Sequence, residues 1–276
     1  MNHSSKPILV FKYGGNAMTN NRLKKGVVKA ISELKQKGFA VVVVHGGGPF
    51  IRDALRRAKI ESEFIDGQRQ TSVDALVYVE ETLKGRVNSE LVGLFNAAGQ
   101  RAVGLSGKDG KTVIAKKRIH HSERNGKMVE VDLGQVGDVH QVNPKLLHLL
   151  LNSDFLPVIT CIASDAAGGD FNINGDLFAG NIAGALNADE FIVLTDVDGL
   201  LSNKDLSESI ISRANEQEIA QLKAEGIIQG GMIPKTDACL EALKTGAERA
   251  RIINGTKPGQ ISGLFENKQI GTLIEN

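Results

Sequence analysis

Four short apolar runs constrain the fold of this chain more than any other feature of its sequence. They are residues 7–13 (PILVFKY), 39–45 (FAVVVVH), 155–163 (FLPVITCIA) and 190–195 (EFIVLT). Such β-branched runs are typical of strands that are covered on both faces, as in a parallel sheet. Amphipathic segments with helical spacing lie between them, at 23–37, 51–59, 73–98, 144–152, 176–187 and 235–246. This alternation of strand and helix predicts a layered α/β fold.

One segment departs from the alternation. Residues 116–142 are polar, interrupted by glycine and alternating in character, which predicts a β-hairpin that leaves the main sheet. The sequence has no tandem repeat and no Pro/Ser-rich linker, so its two halves are expected to share one continuous sheet. We predict an N-terminal lobe at 1–190 and a C-terminal lobe at 191–276 that share this sheet.

Charge and cysteine content disfavour several classes of protein. The 276 residues include 33 Lys and Arg against 32 Asp and Glu, so no overall field attracts nucleic acid or an anionic membrane. Cys161 and Cys239 lie in apolar stretches without a Cys-x-x-Cys spacing, which favours buried thiols in a reducing cytoplasm. The sequence shows neither a signal peptide nor an apolar run approaching the roughly 20 residues of a membrane span. We expect a cytoplasmic protein with no membrane contact.

Two glycine-rich segments follow the first two apolar runs, where open α/β sheets bind ligands. In 12–16 (KYGGN), Lys12 lies inside an apolar strand, and Gly14 and Gly15 offer unhindered amides to phosphate oxygens. The segment 45–49 (HGGGP) runs straight into a helix and combines loop amides with the positive end of a helix dipole. A snorkelling edge lysine and a tight strand-to-helix turn are the purely structural alternatives.

Neither segment is one of the common nucleotide-binding fingerprints. Both lack the Gly-x-x-x-x-Gly-Lys-Ser/Thr pattern of a P-loop and the Gly-x-Gly-x-x-Gly pattern of a dinucleotide site. This disfavours P-loop NTPases and Rossmann dehydrogenases. His45, which ends the second apolar run, is interpreted as a hydrogen-bonded strand-end residue rather than a catalyst.

Polar residues precede a helix in 171–176 (FNINGD). Asn172 or Asn174 can cap that helix, and Asp176 in its first turn suits the helix dipole. Alternatively, Asn172 donates to a carboxylate-bearing ligand and Asp176 orients nearby cations, because a buried carboxylate needs a partner.

Two cationic residues complete the candidate set. Lys235 in 230–235 (GGMIPK) follows a proline that suits the first turn of a helix. A lysine there is unfavourable beside the positive end of the helix dipole, so Lys235 either faces solvent or neutralises an anion bound at the start of the helix. Arg69 in the turn 66–71 (DGQRQT) is either a surface arginine or a bidentate ligand for a carboxylate.

Together with 195–199 (TDVDG), these motifs resemble the amino-acid kinase family in order and spacing along nearly the whole chain. The paired glycine loops and DVDG are family-wide, whereas 67–69 (GQR), 172–176 (NINGD) and 230–235 narrow the resemblance to the branch acting on N-acetylglutamate. The resemblance implies a three-layer αβα sandwich with a central, mostly parallel sheet. It also implies ATP-dependent phosphorylation of the γ-carboxylate of N-acetyl-L-glutamate, in arginine biosynthesis.

The resemblance assigns roles to the matched residues. Lys12 and Lys235 neutralise the transferring phosphoryl group, and Asp176 holds both ammonium groups. The substrate is bound by Gly47, Gly48, Arg69 and Asn172. The expected ATP-binding residues are Lys12, Gly14, Gly15, Thr195, Asp196, Gly199, Leu200, Gly231, Met232 and Lys235.

The implied chemistry is consistent with these residue types. A γ-carboxylate is already ionised at pH 7 and needs no general base, so positioning and charge cancellation carry catalysis. The six histidines show no metal-ligand spacing, so Mg²⁺ is expected to arrive with ATP rather than in a protein-built metal site.

Two alternative functions remain open at this stage. A kinase for carrier-protein-bound aminoadipate has the same lysines and loops but a different acceptor pocket. A catalytically silent nucleotide or amino-acid sensor on this fold has no need of both lysines and Asp176, which argues against it.

The assembly is expected to be a homodimer, because the helix predicted at 73–98 carries enough apolar residues for two faces. In the resembled family, arginine-sensitive enzymes carry an additional N-terminal helix. Residues 1–6 are too few and too polar to form an amphipathic helix of that kind, so strong inhibition by arginine is not expected.

Overall fold

The computed structural model describes residues 6–124, 126–203, 206, 209–266 and 269–276. The expectation for residues 1–6 therefore falls almost entirely outside the described residues. Within these ranges the strands are β1 (Ile8–Tyr13), β2 (Ala40–His45), β3 (Phe64–Ile65), β4 (Gln68–Arg69), β5 (Ala102–Ser106), β6 (Val113–Lys117), β7 (His120–Arg124), β8 (Lys127–Val131), β9 (Val136–Val142), β10 (Leu156–Thr160), β11 (Ile162–Ser164), β12 (Asp170–Ile173), β13 (Glu190–Thr195), β14 (Arg213–Ala214), β15 (Ala250–Asn254) and β16 (Thr272–Ile274).

The helices in the same ranges are α1 (Asn21–Gln36), α2 (Gly48–Arg57), α3 (Val73–Glu80), α4 (Ser89–Ala97), α5 (Lys145–Asn152), α6 (Gly175–Ala185), α7 (Glu216–Ala224), α8 (Ile233–Thr245) and α9 (Pro258–Ser262). A π-helical segment, Glu81–Asn88, joins α3 to α4. Short 3₁₀ turns lie at Gly15–Met18, Asp109–Lys111 and Gly230–Met232.

The central sheet has the strand order β14-β16-β15-β13-β1-β2-β10-β5 among the described residues. Its strands from β15 to β5 all run parallel. At one edge, β16 runs antiparallel to β15, and β14 pairs parallel with β16. The predicted central, mostly parallel sheet is therefore confirmed.

Alternate residues of the central strands enter two separate hydrophobic cores. In β1, Val10 joins one core, while Leu9 and Phe11 join the other. The Val10 core includes residues of α2, α3, α5, α6, α7 and α8, and the Leu9 core includes residues of α1, α4 and α9. Side chains that alternate across a strand reach opposite faces, so helices cover both faces and the three-layer αβα arrangement is confirmed.

The apolar run at 155–163 forms two strands rather than one. β10 ends at Thr160, and the chain passes through Cys161 into β11, which belongs to a small closed sheet of β11, β12, β9 and β6. The sequence hid this break because the residues on both sides of it are buried.

The excursion predicted at 116–142 is present. β6 and β9 pair antiparallel within the small sheet, and β7 and β8 form a separate two-stranded ribbon.

Helices α6 and α8 approach closely because two glycines of α6 face α8. A Cβ at Gly180 would lie 2.3 Å from the Ala238 carbonyl oxygen, and one at Gly184 would lie 1.8 Å from Thr245 Oγ1. Gly180 and Gly184 follow Asp176 at intervals of four residues, so all three share one face of α6. The close approach brings the first turns of the two helices together.

The cysteines are free and buried, as predicted. Burial raises the pKa of the Cys161 thiol to about 11, so this thiol is protonated at neutral pH. Within the described part of the chain, every helix is too short or too polar to cross a bilayer.

Candidate active site

The candidate site lies at the carboxyl edge of β1, β2 and β13. Tyr13 at the end of β1 is level with His45 at the end of β2, and Lys12 is level with Val193 in β13. The segments that follow these three parallel strands therefore emerge together at one edge of the sheet, where open α/β folds bind ligands.

Lys12, Asp176 and Lys235 form one cluster at this edge. Asp176 Oδ1 lies 2.8 Å from Lys12 Nζ, and Asp176 Oδ2 lies 3.3 Å from Lys235 Nζ. The side chains are 9%, 8% and 18% exposed for Lys12, Asp176 and Lys235. Asp176 Oδ1 has no hydrogen bond of good geometry, so its contact with Lys12 is an ion pair. We call these three residues the lysine–aspartate cluster.

The cluster holds more positive than negative charge. Burial opposes ionisation of Asp176, but the ammonium groups of Lys12 and Lys235 outweigh it and hold the pKa of this carboxyl below its usual value. Burial lowers the pKa of Lys235, assisted by the charge of Lys12 and opposed by Asp176. With Asp176 ionised and both lysines protonated, the three residues carry one net positive charge, and Asp196 in the adjoining cavity acts on Lys235 in the same direction as Asp176. A buried excess of this kind favours the binding of an anion.

The first glycine segment is shaped around Lys12. A Cβ at Gly14 would lie 2.9 Å from Lys12 Nζ, and Gly15 has a φ of +71°, which side-chain-bearing residues rarely adopt. The buried Tyr13 hydroxyl donates to the Ala17 carbonyl at 3.0 Å, and this bond fixes the turn Gly15–Met18.

A cavity of about 160 Å³ adjoins the lysine–aspartate cluster. It is lined by Lys12, Gly14, Gly15, Ala17, Leu194, Thr195, Asp196 and Lys235. The structure thus brings together six of the residues that the sequence analysis assigned to ATP. Ala17 and Leu194 were missed, because an apolar residue in a loop or at a strand end carries no chemical signal of its own.

A second cavity, of about 230 Å³, is mainly apolar. Its lining includes three predicted residues, Gly199, Leu200 and Met232. Val197, inside the 195–199 motif, also lines it, whereas four further lining residues were missed: Leu201, Ile227, Ile228 and Gln229. Ile227 and Ile228 lie just before the glycine pair at 230–231, and two adjacent isoleucines at this place could have indicated an apolar lining.

A larger cavity is lined by other residues. It has a volume of about 600 Å³, lies against β9, α6 and α8, and includes none of the predicted site residues among its described lining. Its size alone does not connect it to the chemistry of the lysine–aspartate cluster.

Asp198 ties the segment after β13 to the segment after β15, a link that the sequence analysis did not identify. Its carboxylate accepts from Asn254 Nδ2 and Gln260 Nε2, both at 2.9 Å, and from Lys257 Nζ at 2.6 Å. The hydrogen bond from Lys257 is the leading cause that lowers the pKa of Asp198. Nothing in the local sequence shows that residues about 60 positions apart meet.

The second glycine segment packs against the start of α6. Gly47 is buried and Gly48 is exposed. A Cβ at Gly175, which precedes Asp176, would lie 3.7 Å from Gly46 Cα and 3.8 Å from Lys12 Cε. The glycine segment therefore borders the lysine–aspartate cluster.

Arg69 and Asn172 lie on either side of Thr71. Asn172 Nδ2 donates to Thr71 Oγ1 at 3.5 Å, and Thr71 Oγ1 donates to the Arg69 carbonyl at 3.3 Å. The Arg69 guanidinium lies 4.6 Å from the ring centre of Phe64 and donates to Ser62. Arg69 is buried, and burial lowers its pKa. Among the described contacts, none joins this pair directly to the lysine–aspartate cluster.

The cap of α6 is settled by the geometry. Asn174 accepts from the backbone amides of Asp176 and Leu177 at 2.9 and 3.2 Å, so Asn174 is the N-cap. Asn172, four residues before Asp176, does not cap the helix.

Comparison with known proteins is consistent with this arrangement. The profile of the amino acid kinase family matches residues 7–254. The acetylglutamate kinase of Archaeoglobus fulgidus is 43% identical over 97% of this chain and 92% of its own length. That of Moorella thermoacetica is 39% identical over 96% of this chain and 90% of its own.

Solved structures share the fold at lower identity. A Streptococcus mutans protein, smu.665, has a TM-score of 0.76 at 26% identity and covers 97% of this chain and 98% of its own. Carbamate kinase from Giardia has a TM-score of 0.71 at 17% identity, with coverage of 99% and 100%. The N-acetylglutamate synthase of Neisseria gonorrhoeae reaches 0.81 at 21%, over 98% of this chain and 59% of its own.

Proposed function

Since the chain belongs to the amino acid kinase family, and within it to the acetylglutamate kinases, we propose that it phosphorylates N-acetyl-L-glutamate with ATP. A γ-carboxylate oxygen attacks the γ-phosphorus of ATP, and the bond from that phosphorus to the β,γ-bridging oxygen breaks. The products are an acyl phosphate and ADP. This reaction is a step of arginine biosynthesis.

The lysine–aspartate cluster is the observation that carries the mechanism. Two ammonium groups share one carboxylate in a buried setting, and the cluster borders the cavity lined by both glycine-turn and strand-end residues. In the proposed reaction, Lys12 and Lys235 stabilise the charge that develops on the transferring phosphoryl group and the leaving oxygen. Asp176 positions both lysines and touches neither substrate.

The nucleotide is proposed to lie along the edge from β1 to β13. Gly14, Gly15, Thr195 and Asp196 line the cavity beside the lysines, which suits the phosphates. The apolar cavity beside Gly199 and the turn Gly230–Met232 suits the base. Asp198 acts as a positioning residue for this part of the site, because it holds the segment after β13 against the segment after β15.

The acceptor is proposed to bind between the second glycine segment and the Arg69–Asn172 pair. Gly47 and Gly48 supply backbone amides, Arg69 binds the α-carboxylate and Asn172 donates to the same end of the substrate. Thr71, which contacts both Arg69 and Asn172, holds their spacing.

Magnesium is proposed to enter as part of the nucleotide substrate. The His, Cys, Asp and Glu side chains of the described residues form no group of three that could hold a metal ion. Bound to the ATP phosphates, the ion supplies further neutralisation of charge.

The proposal also covers the division of the chain into lobes, its location and its assembly. The acidic substrate and phosphoryl group occupy a lobe at 1–190, and ATP occupies a lobe at 191–276, with β13 at the centre of the shared sheet. The protein acts in the cytoplasm as a homodimer, for which the exposed apolar residues Val73 and Val77 of α3 provide a surface.

An acyl phosphate is diagnostic of the reaction because hydroxylamine converts it to a hydroxamate. Purified protein with MgATP should give hydroxamate with N-acetyl-L-glutamate and little with glutamate, N-acetylaspartate or an N-acylated aminoadipate. A preference for the aminoadipate would move the chain to a different acceptor class. Absence of hydroxamate and of ADP release with all four would contradict the proposal.

The grip on the acceptor is tested at Arg69. An arginine bound to the unreacting α-carboxylate contributes alike to ground and transition states, so Arg69→Ala should raise KM for N-acetyl-L-glutamate. Loss of a charged hydrogen bond costs about 1.5–3 kcal/mol, which is roughly 10- to 100-fold in KM. The KM for ATP is the internal control and should be unchanged. A lower kcat with unchanged KM would instead assign Arg69 to the phosphoryl group.

A further inference from the structure

His45 and Asn88 form a buried pair that the reaction does not use directly. His45 is fully buried and Asn88 is 2% exposed. Asn88 Nδ2 lies 2.9 Å from His45 Nε2 and 2.9 Å from the Val158 carbonyl oxygen. On the other side of the ring, His45 Nδ1 lies 3.0 Å from the carbonyl oxygen of Gly46, the first glycine of the second glycine segment.

These contacts assign one tautomer to His45. The Val158 carbonyl only accepts hydrogen bonds, so the atom of Asn88 that faces it must be the amide nitrogen. That nitrogen donates to the Val158 carbonyl and to His45 Nε2, both at 2.9 Å, and has a longer contact of 3.4 Å with the Leu105 carbonyl. Nε2 accepts this hydrogen bond and must then carry no proton. Nδ1 therefore bears the ring proton and donates it to the Gly46 carbonyl.

Two glycines leave room for the side chains that surround the His45–Asn88 pair. A Cβ at Gly104 in β5 would lie 2.1 Å from Asn88 Oδ1, so glycine at this strand position leaves room for the amide. A Cβ at Gly47 would lie 2.6 Å from Leu83 Cδ2. Leu83 and Asn88 both belong to the π-helical segment, which thus supports the glycine segment at two points.

We propose that His45 and Asn88 are positioning residues that fix the orientation of the Gly46–Gly47 peptide. In a planar trans peptide the carbonyl and the following N–H point in opposite directions. Because His45 holds the Gly46 carbonyl toward the ring, the Gly47 amide is turned away from the ring. Asn88 acts indirectly: it keeps His45 in the tautomer whose Nδ1–H donates to the Gly46 carbonyl.

The kinetic consequence rests on the proposed function, in which the Gly47 amide binds the acceptor, whose γ-carboxylate changes its charge distribution as the phosphoryl group is transferred. Preorganised backbone donors contribute to the rate only when they already point at the developing charge. Loss of the His45 donor frees the Gly46–Gly47 peptide to rotate. As a result kcat falls, whereas the KM for ATP changes little.

The tautomer is tested on the wild-type protein without any assay of activity. Nitrogen-15 spectra of the histidine rings at pH 7, assigned by their loss in a His45 variant, should show His45 as the neutral Nδ1–H form. In Asn88→Ala, where Nε2 loses its donor, the Nε2–H form should become populated. A wild-type ring in the Nε2–H form would overturn the proposal even if the enzyme is active.

The positioning role is tested with two substitutions at the same site. His45→Leu removes the donor and should lower kcat about tenfold or more, with the KM for ATP within about threefold. His45→Asn places an amide nitrogen near the position of Nδ1 and should recover most of the lost kcat. Rates are expressed per folded molecule, with folding followed by circular dichroism.

A purely structural role for His45 gives a different result. Both variants would then lose stability while each folded molecule kept wild-type kcat, and this outcome would overturn the proposal. If the wild-type protein forms no acyl phosphate, the proposed function fails, and the tautomer measurement still decides the hydrogen-bond chain.

Discussion

At the scale of single residues, the arrangement of two lysines on one carboxylate has a direct kinetic consequence. Lys235 faces charge that develops only in the transition state, so Lys235→Met should lower kcat by roughly 10²- to 10³-fold, or about 3–4 kcal/mol. The KM for ATP should change only modestly. Steady-state kinetics with N-acetyl-L-glutamate measures both.

A matched control separates this effect from the loss of any salt bridge. Lys223 pairs with Asp237, which also lies on α8, but Lys223 lies outside the cavity beside the cluster. Lys223→Met should keep near-wild-type kcat. Equal losses in the two variants would show that disturbance of α8, rather than loss of a charge at the phosphoryl group, lowers the rate.

Stability should depend on pH through His45. Burial, the leading cause, together with the charge of Lys84 lowers the pKa of His45 to about 4, although its hydrogen bond to Gly46 acts in the opposite direction. The unfolded chain, with a pKa near 6.5, then binds a proton between pH 6.5 and 4 that the folded protein does not bind. From pH 7 to pH 5 this linkage removes about 2 kcal/mol of the free energy of unfolding.

Denaturant titrations of the wild type and His45→Asn at pH 7, 6 and 5 isolate this contribution, because other titrating groups are common to both proteins. The wild type should lose about 2 kcal/mol more than the variant over that interval. Parallel pH dependence of the two proteins would mean that folding leaves the pKa of His45 unchanged.

Much of the candidate site could be predicted residue by residue where a residue type contradicts its surroundings. A lysine inside an apolar strand is unusual enough to indicate Lys12. Asp176 occupies an ordinary position for an aspartate at a helix start, so its role was indicated by the family motif rather than by its local sequence. Asp198 belongs to the predicted 195–199 motif, but its role in linking two segments was not identified, since its partners lie 56 to 62 positions away. Asn172 and Asn174 were equal candidates for the cap until the backbone geometry distinguished them.

At the scale of elements, the close packing of α6 on α8 sets the distance between Asp176 and Lys235. Gly180→Ala puts a methyl group 2.3 Å from the Ala238 carbonyl oxygen, so the backbone of α8 must move. We expect lower stability by about 1–3 kcal/mol, as for other overpacked sites, and a lower kcat because Lys235 is displaced. Thermal unfolding and kinetics measure the two effects.

Gly93→Ala is the control for this substitution. Gly93 also lies inside a helix, α4, but a Cβ there meets no atom within 4 Å. Alanine should be neutral or stabilising there by up to about 1 kcal/mol. If Gly180→Ala behaved like Gly93→Ala in both measurements, the spacing of the two helices would not depend on the glycine contact.

Elements were predictable from the sequence wherever polar residues or glycines mark the end of an apolar run. This holds for the strands β1, β2 and β13, and their predicted limits differ from the structure by at most one residue. The break between β10 and β11 did not, because buried apolar residues continue through Cys161. The π-helical segment was also hidden, because buried residues recur every three or four positions from Leu76 through Leu83 to Leu91, as they do in a continuous α-helix.

At the scale of the whole molecule, the sheet explains how distant motifs form one site. β13 pairs with β1, and β1 pairs with β2, so segments from positions 14, 46 and 196 meet at a single edge. The sequence predicted the layers, because parallel strands buried on both faces need helices on both sides. It did not predict the strand order, which depends on pairings between residues far apart in the chain.

The remaining prediction concerns a second copy of the chain. Val73 and Val77 are 65% and 53% exposed and lie one turn apart on α3, and Tyr78 beside them is 38% exposed. A twofold axis beside α3 would place this apolar surface against itself, as closed dimers do. Val77→Glu then brings two like charges together across the axis, so light scattering coupled to size exclusion should show a dimer for the wild type and a monomer for the variant. Leu149→Glu, at a 63% exposed position on α5, is the control and should remain dimeric. A monomeric wild type, or a Val77→Glu variant as dimeric as the control, would show that the α3 surface does not hold the dimer together.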